Sequence, residues 1–369
     1  MTDNIPLVDL GLQHRRVADE VAEGFARVLA NTSFILGPEA AAFEQAYAEF
    51  CGTKYAVGVG NGTDAIELAL RAVGIGAGDE VIIPANTFVA TAGAISRTGA
   101  GLKLVDCDEN FLIDAAQIPA AITERTRAVV PVHLYGQLAP MDAVSAAAGE
   151  LTVIEDAAQS QGARQHGRRS GSLGRIAATS FYPGKNLGAY GDAGGITTSD
   201  DEVHGRLLRL RNHGGVKKYE HLEVGVNSRL DGLQGVVLAT KLKRLDEWNG
   251  ERRLAAAYYT ELLAELDQVR VPVEVPGNEH VWHLYVVCVP ARDAVLAQLN
   301  AHGIGAGIHY PAPVHQLPAF AHLGYPAGSF PVAERLAGEI LSLPIYPGIT
   351  RDQQERVVQE LATALKDNA

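Results

Sequence analysis

Thr179-Ser180-Phe181-Tyr182-Pro183-Gly184-Lys185 is the stretch from which the rest of the chain is read. The apolar run 177–181 ends against Pro183-Gly184, which predicts a strand that stops at a turn. Lys185 then sits just past the carboxyl end of a buried strand. Partial desolvation there lowers an amine's pKa and makes it a nucleophile, which is what a Schiff-base lysine needs. The plainer alternative is a surface lysine after a turn. Gly188, Gly191, Gly194 and Gly195 follow closely. They fit a simple hairpin, or backbone approached by a large ligand.

Outward from this stretch the pattern repeats. Apolar runs at 55–59, 80–83, 102–105, 128–132, 151–154 and 195–198 bring the strand candidates to seven. Several are apolar throughout, as strands covered on both faces are. Helical periodicity lies between most of them, at 64–73, 88–96, 115–123 and 141–148. This alternation predicts an α/β fold, a seven-stranded and mostly parallel sheet with helices on both faces. Ligands of such sheets sit at the carboxyl ends of the strands.

Beyond the sheet, 230–266 reads as one long helical region holding Trp248 and the charged stretch 241–247, expected as a solvated helix joining two units. The stretch 271–276, with Pro272 and Pro276, reads as a linker. A strand at 282–289, a helix at 293–301 and a last helix at 352–365 form a smaller C-terminal α+β unit. At 369 residues the chain exceeds one ordinary core. Two units are expected, 1–250 and 251–369.

Composition narrows the function. Hydrophobic residues make up 47% and charged residues 20%, as in a globular protein. A net charge of -12 argues against nucleic-acid binding, which needs a basic footprint. Cys51, Cys107 and Cys288 lie far apart with no CxxC pair. That argues against a structural metal site and against a disulfide framework, so the cytoplasm is the expected compartment. Residues 1–10 lack a basic start followed by an apolar run, so no signal peptide is expected. No stretch reaches the length of a membrane span.

Four further segments carry chemistry. In Leu151-Thr152-Val153-Ile154-Glu155-Asp156, the aspartate falls at a strand end, where a buried carboxylate needs a partner. A pyridinium N–H would be one; a helix N-cap is the plainer alternative. Gln159 lies one helical turn further on, in reach of a ring hydroxyl. Gly60-Asn61-Gly62-Thr63-Asp64 joins a strand to a helix, where free N–H groups bind phosphate. Thr63 and Ser180 add hydroxyls. Pro84-Ala85-Asn86-Thr87-Phe88 places an aromatic ring after a strand, to stack on a flat ligand or to fill the core. Asn227 and Arg229, ahead of a helix, are placed to reach a phosphate, in this chain or a partner subunit, or to cap. Together these residues are an inventory for pyridoxal 5'-phosphate: an amine, a ring-nitrogen partner, a ring stacker and phosphate donors.

The same blocks resemble the DegT/StrS-type sugar aminotransferases, a fold-type I pyridoxal-phosphate family. The resemblance runs from Asn31-Thr32-Ser33-Phe34-Ile35-Leu36-Gly37-Pro38 to His309-Tyr310-Pro311-Ala312-Pro313-Val314-His315. It implies that Lys185 carries the cofactor, Asp156 pairs with the ring nitrogen and Gln159 with the ring oxygen. Phe88 would stack on the ring. Gly62, Thr63 and Ser180 would hold the phosphate, with Asn227 supplied by the second subunit of a homodimer. The run Ser180–Gly188 resembles the branch that aminates C3 of a dTDP-linked 3-keto-6-deoxy sugar, with glutamate as donor. Action at C4, or sugar 3-dehydration, is the alternative; the 3-dehydrases carry histidine where Lys185 stands. A non-catalytic sensor that keeps the fold is another. Lys217, Lys218 and Tyr219 are candidates for the nucleotide, and Tyr182, Arg229, His309 and His315 for the substrate. No metal is expected.

Overall fold

The computed structural model describes residues 4–368, so the ends of the stretch 1–10 and of the second unit lie partly outside it. The expected strands form one sheet. They are β1 (Tyr55–Val59), β2 (Glu80–Pro84), β3 (Gly101–Val105), β4 (Thr126–Val129), β5 (Thr152–Asp156), β6 (Ile176–Ser180) and β7 (Gly194–Thr198), in the order β1-β7-β6-β5-β4-β2-β3. Neighbours from β6 through β3 pair parallel. Only β7 reverses, antiparallel to both β6 and β1. That reversal leaves β1 running with the others. The carboxyl ends of β1, β2, β5 and β6 therefore share one edge, and the segments that follow them meet there.

Both faces of the sheet are covered, which is why its strands are apolar throughout. Helix α1 (Gly62–Ala72) buries Ile66, Leu68 and Leu70, and α2 (Val89–Thr98) buries Ala92 and Ile95, in the core that holds Val57, Val81, Ile83 and Ile154. The helix expected at 115–123 is a short 3₁₀ turn, Ala115–Gln117, followed by Ile118–Ala121. Pro119 provides no N–H for the helical ladder, and Ile122 is already extended.

The region 230–266 departs from the expectation of a single solvated helix. It is two helices, α3 (Gly232–Leu242) and α4 (Leu245–Leu263), broken at Lys243 and Arg244, which both reach Glu20 at 3.3 Å. The break follows from burial. Leu238, Leu242 and Leu245 pack into the core of Phe43 and Phe181, whereas Ala256, Tyr259 and Leu263 pack into a second core. One straight helix cannot face both.

That second core lies around β8 (Tyr285–Cys288) and β9 (Ile340–Leu343), an antiparallel pair. Helices α5 (Arg292–Ala301) and α6 (Arg351–Asp367) contribute Leu299 and Leu361 to it. We propose that the two units divide near residue 250, within α4. Among the described residues, no helix is long and apolar enough to cross a membrane.

Candidate active site

The shared strand edge borders a cavity of about 760 Å³ lined by Asn61, Gly62, Thr63, Phe88, Thr91, Asp156, Gln159, Ser180, Tyr182, Lys185, His283, His309 and Tyr310, among others. The turn bearing Lys185 is anchored from below. Phe181 is buried against the rings of Phe43 and Tyr47, at 5.3 and 5.2 Å. Its backbone pairs with Ala189 and Ala193, and the Lys185 N–H closes the turn onto Tyr182 O at 2.8 Å. The loop then crosses itself at Gly188, where a Cβ would stand 2.2 Å from Pro183 O. Lys241, buried on α3, donates to Gly188 O at 2.7 Å and fixes the crossing. Burial lowers the Lys185 amine to about 8, against the opposing pull of Asp156. A fraction of it is therefore nucleophilic near neutral pH.

Asp156 is the last residue of β5 and is not a helix cap. It is buried, and its Oδ2 accepts from Thr91 Oγ1 at 2.8 Å while Oδ1 accepts from Ala158 N–H at 3.2 Å. Burial raises its pKa; the two hydrogen bonds and Lys185 work against that rise. Gln159 lies in a turn rather than a helix. Its Oε1 accepts from Tyr135 N–H at 2.7 Å and its Nε2 donates to Tyr310 Oη at 3.1 Å.

Gly62 and Thr63 open α1, where Asn61 caps the Asp64 N–H at 2.8 Å. The N–H groups of Gly62 and Thr63 have no intrahelical partner. Only glycine fits at 62, since a Cβ would lie 2.5 Å from Ser180 Cβ. Phe88 is 45% exposed, so core packing does not account for it, and its ring lies 4.8 Å from that of Tyr310.

The remaining sequence candidates divide. Tyr182 and His309 line the cavity. His315 does not; it is buried against Phe330 with Nε2 3.0 Å from Glu334. Arg229 donates to Asn212 at 3.3 Å, and Asn227 is exposed away from the cavity lining. Lys217, Lys218 and Tyr219 stand on a surface hairpin beside a separate groove. Thr91, His283 and Tyr310 line the cavity without having been expected there. Thr91 follows Phe88 by one helical turn, the one signal that marks it.

The profile of the DegT/DnrJ/EryC1/StrS aminotransferase family matches residues 16–362. The chain belongs to that family. It is 46% identical over 360 residues to a dTDP-3-amino-3,4,6-trideoxy-alpha-D-glucose transaminase of Streptomyces venezuelae, covering 97% of this chain and 95% of that protein. It is 47% identical over 364 residues to a protein of Geobacillus stearothermophilus named a pleiotropic regulatory protein, covering 97% and 98%. The crystal structure of S. venezuelae DesV in complex with a ketimine intermediate superposes with a TM-score of 0.96 at 46% identity, covering 98% of this chain and 99% of that one.

Proposed function

We propose that this family member uses pyridoxal phosphate to move an amino group from an amino acid, L-glutamate, onto C3 of a dTDP-linked keto-6-deoxy sugar, in deoxyamino-sugar biosynthesis. One observation carries the proposal: Lys185 and Asp156 line a single cavity with Gly62 and Thr63, the first residues of helix α1. The residues fit the cofactor. There is an amine with a lowered pKa, a buried carboxylate, an exposed ring at Phe88, and a glycine where phosphate would meet free N–H groups.

When bound, the cofactor supplies an aldehyde carbon for amine capture and a ring that accepts an electron pair. Lys185 takes the proton from the donor's α-carbon as a base and returns it as an acid. Asp156, whose charged form Thr91 and Ala158 favour, would hold a proton on the ring nitrogen. Gln159, whose Nε2 donates to Tyr310 Oη, would offer its amide to the ring oxygen, and Gly62, Thr63 and Ser180 would hold the phosphate. Position C3 is supported by the name of the S. venezuelae relative. Asn227, Arg229, Lys217, Lys218 and Tyr219 serve the cavity of a second subunit, since they do not line their own. The three free, buried cysteines support a cytoplasmic location.

An absorbance spectrum recorded before and after adding L-glutamate tests this. A visible band should give way to a near-ultraviolet one, and Lys185→Ala should slow that change at least about a thousandfold. No band even with added pyridoxal phosphate would overturn the proposal. A band unmoved by any amino acid would favour the regulator reading that the G. stearothermophilus relative's name supports. NMR of the product sugar separates amination at C3 from amination at C4 and from loss of a hydroxyl.

A further inference from the structure

His283 precedes β8 by two residues and lines the same cavity as Lys185. Its backbone is clamped. Arg252, fully buried in α4, donates from Nη1 to the carbonyl oxygens of Trp282 at 3.1 Å, His283 at 3.4 Å and Ile345 at 3.0 Å. Trp282 stands at φ 47, a left-handed conformation that a bulky side chain adopts only when its surroundings impose it.

The imidazole is fixed by a chain of amides. Asn249 donates to Gln161 O at 2.9 Å, which sets its own orientation. Asn186, the residue after Lys185, donates from Nδ2 both to Asn249 Oδ1 and to Val281 O, each at 2.9 Å. Its oxygen is therefore what faces His283 Nδ1 at 3.1 Å, and Nδ1 carries the ring proton. The other nitrogen, Nε2, is an acceptor. It has no hydrogen-bond partner among the described residues, on a residue only 8% exposed.

Burial keeps the ring neutral near pH 7, reinforced by repulsion from Lys185 and Arg252. A fixed acceptor on a cavity wall calls for a donor. The cavity's lysine and arginine are Lys185 and Arg97. Arg97 is engaged with Asp64 and Glu67, at 3.0 and 2.7 Å, whereas Lys185 Nζ has no hydrogen-bond partner among the described residues.

We propose that His283 is a positioning residue for Lys185, its Nε2 accepting a hydrogen from the lysine's ammonium group whenever that amine is free. Because Asn186 follows Lys185 directly, the turn that sets the amine also sets the imidazole's tautomer. The acceptor steadies the lysine between its two tasks, joining the cofactor and moving a proton. This inference rests on the role given to Lys185 above.

The test reads the lysine without turnover. The rate at which apoprotein acquires visible absorbance with pyridoxal phosphate is followed against pH, and its midpoint reports the Lys185 amine. Asp156, His283, His309, Tyr310 and Asp192 share the cavity wall with that amine, so each variant is compared with wild type in the same buffers. His283→Leu should lower the midpoint by about one unit, because an acceptor favours the ammonium form. His283→Gln, which keeps an acceptor, should restore most of it. A folded His283→Leu protein with an unchanged midpoint overturns this inference alone. Failure of wild type to acquire the absorbance overturns the cofactor reading instead. Nitrogen-15 NMR of the wild-type apoprotein needs no variant. It should show Nδ1 protonated and an Nε2 signal that moves as Lys185 titrates; a protonated Nε2, or one indifferent to that titration, would also sink the proposal.

Discussion

Thr87, Thr91 and Asp156 form a relay: the two hydroxyls are 2.8 Å apart and Thr91 Oγ1 is 2.8 Å from Asp156 Oδ2. The relay opposes the rise that burial imposes on the carboxyl. Thr91→Val keeps the shape and removes the donor, so the Asp156 pKa should climb further. Under the proposed function activity needs the ionised carboxylate and fails as pH falls through that pKa. The acid limb of the kcat profile should therefore move to higher pH by roughly one to two units, from the strength of a hydrogen bond to a charged group. Thr91→Ser should return it toward wild type, and a limb that stays in place would remove Thr91 from the site. Lys185 and Asp156 were legible in the sequence because Asp156 ends an apolar run and Lys185 follows one across a Pro-Gly turn. Thr91 had only its spacing from Phe88 and His283 had no signal: their partners lie 65 and 97 residues away, and no local spacing encodes such a pairing.

At the level of elements, the start of α1 and the start of β7 are pressed together. A Cβ at Gly194 would stand 2.3 Å from Asn61 O and 3.0 Å from Gly62 N. Gly194→Ala must push the helix start aside, at a cost of about 1–3 kcal/mol for overpacking. Affinity for pyridoxal phosphate should fall at least about tenfold, because the displaced N–H groups are those that would hold its phosphate. Gly93 is the control. It lies inside α2 with nothing within 4 Å of its Cβ position, so Gly93→Ala should stabilise by up to about 1 kcal/mol and leave affinity alone. Denaturant melts and cofactor titrations of both variants check this. The glycines after Lys185 were visible in the sequence, but the choice between a plain hairpin and close backbone approach was not. The α3–α4 break was equally hidden, because it answers to two cores at once and the periodicity of 230–266 reports only one helical face at a time.

Over the whole molecule, the charge pattern poses a problem that one chain does not solve. The net charge is -12, yet a nucleotide diphosphate needs cations. Lys217 and Lys218 stand on a hairpin whose Tyr219 is 86% exposed, beside a groove separate from the cavity. If they serve a cavity, it is a partner's. Complementation tests this directly. Lys185→Ala lacks the amine, and the double variant Lys217→Ala/Lys218→Ala lacks the cations; each alone should be strongly impaired at low sugar-nucleotide concentration. Co-refolding equal amounts puts half of the molecules into mixed dimers. In each of these, one cavity has its own Lys185 and the partner's intact hairpin. About a quarter of all sites should then be fully functional, as follows from random pairing in a twofold dimer. Were the lysines to act on their own chain's cavity, every site in the mixture would still lack one element, and mixing would restore nothing. Were they merely solvated surface charges, the double variant would keep the wild-type KM for the sugar nucleotide before any mixing.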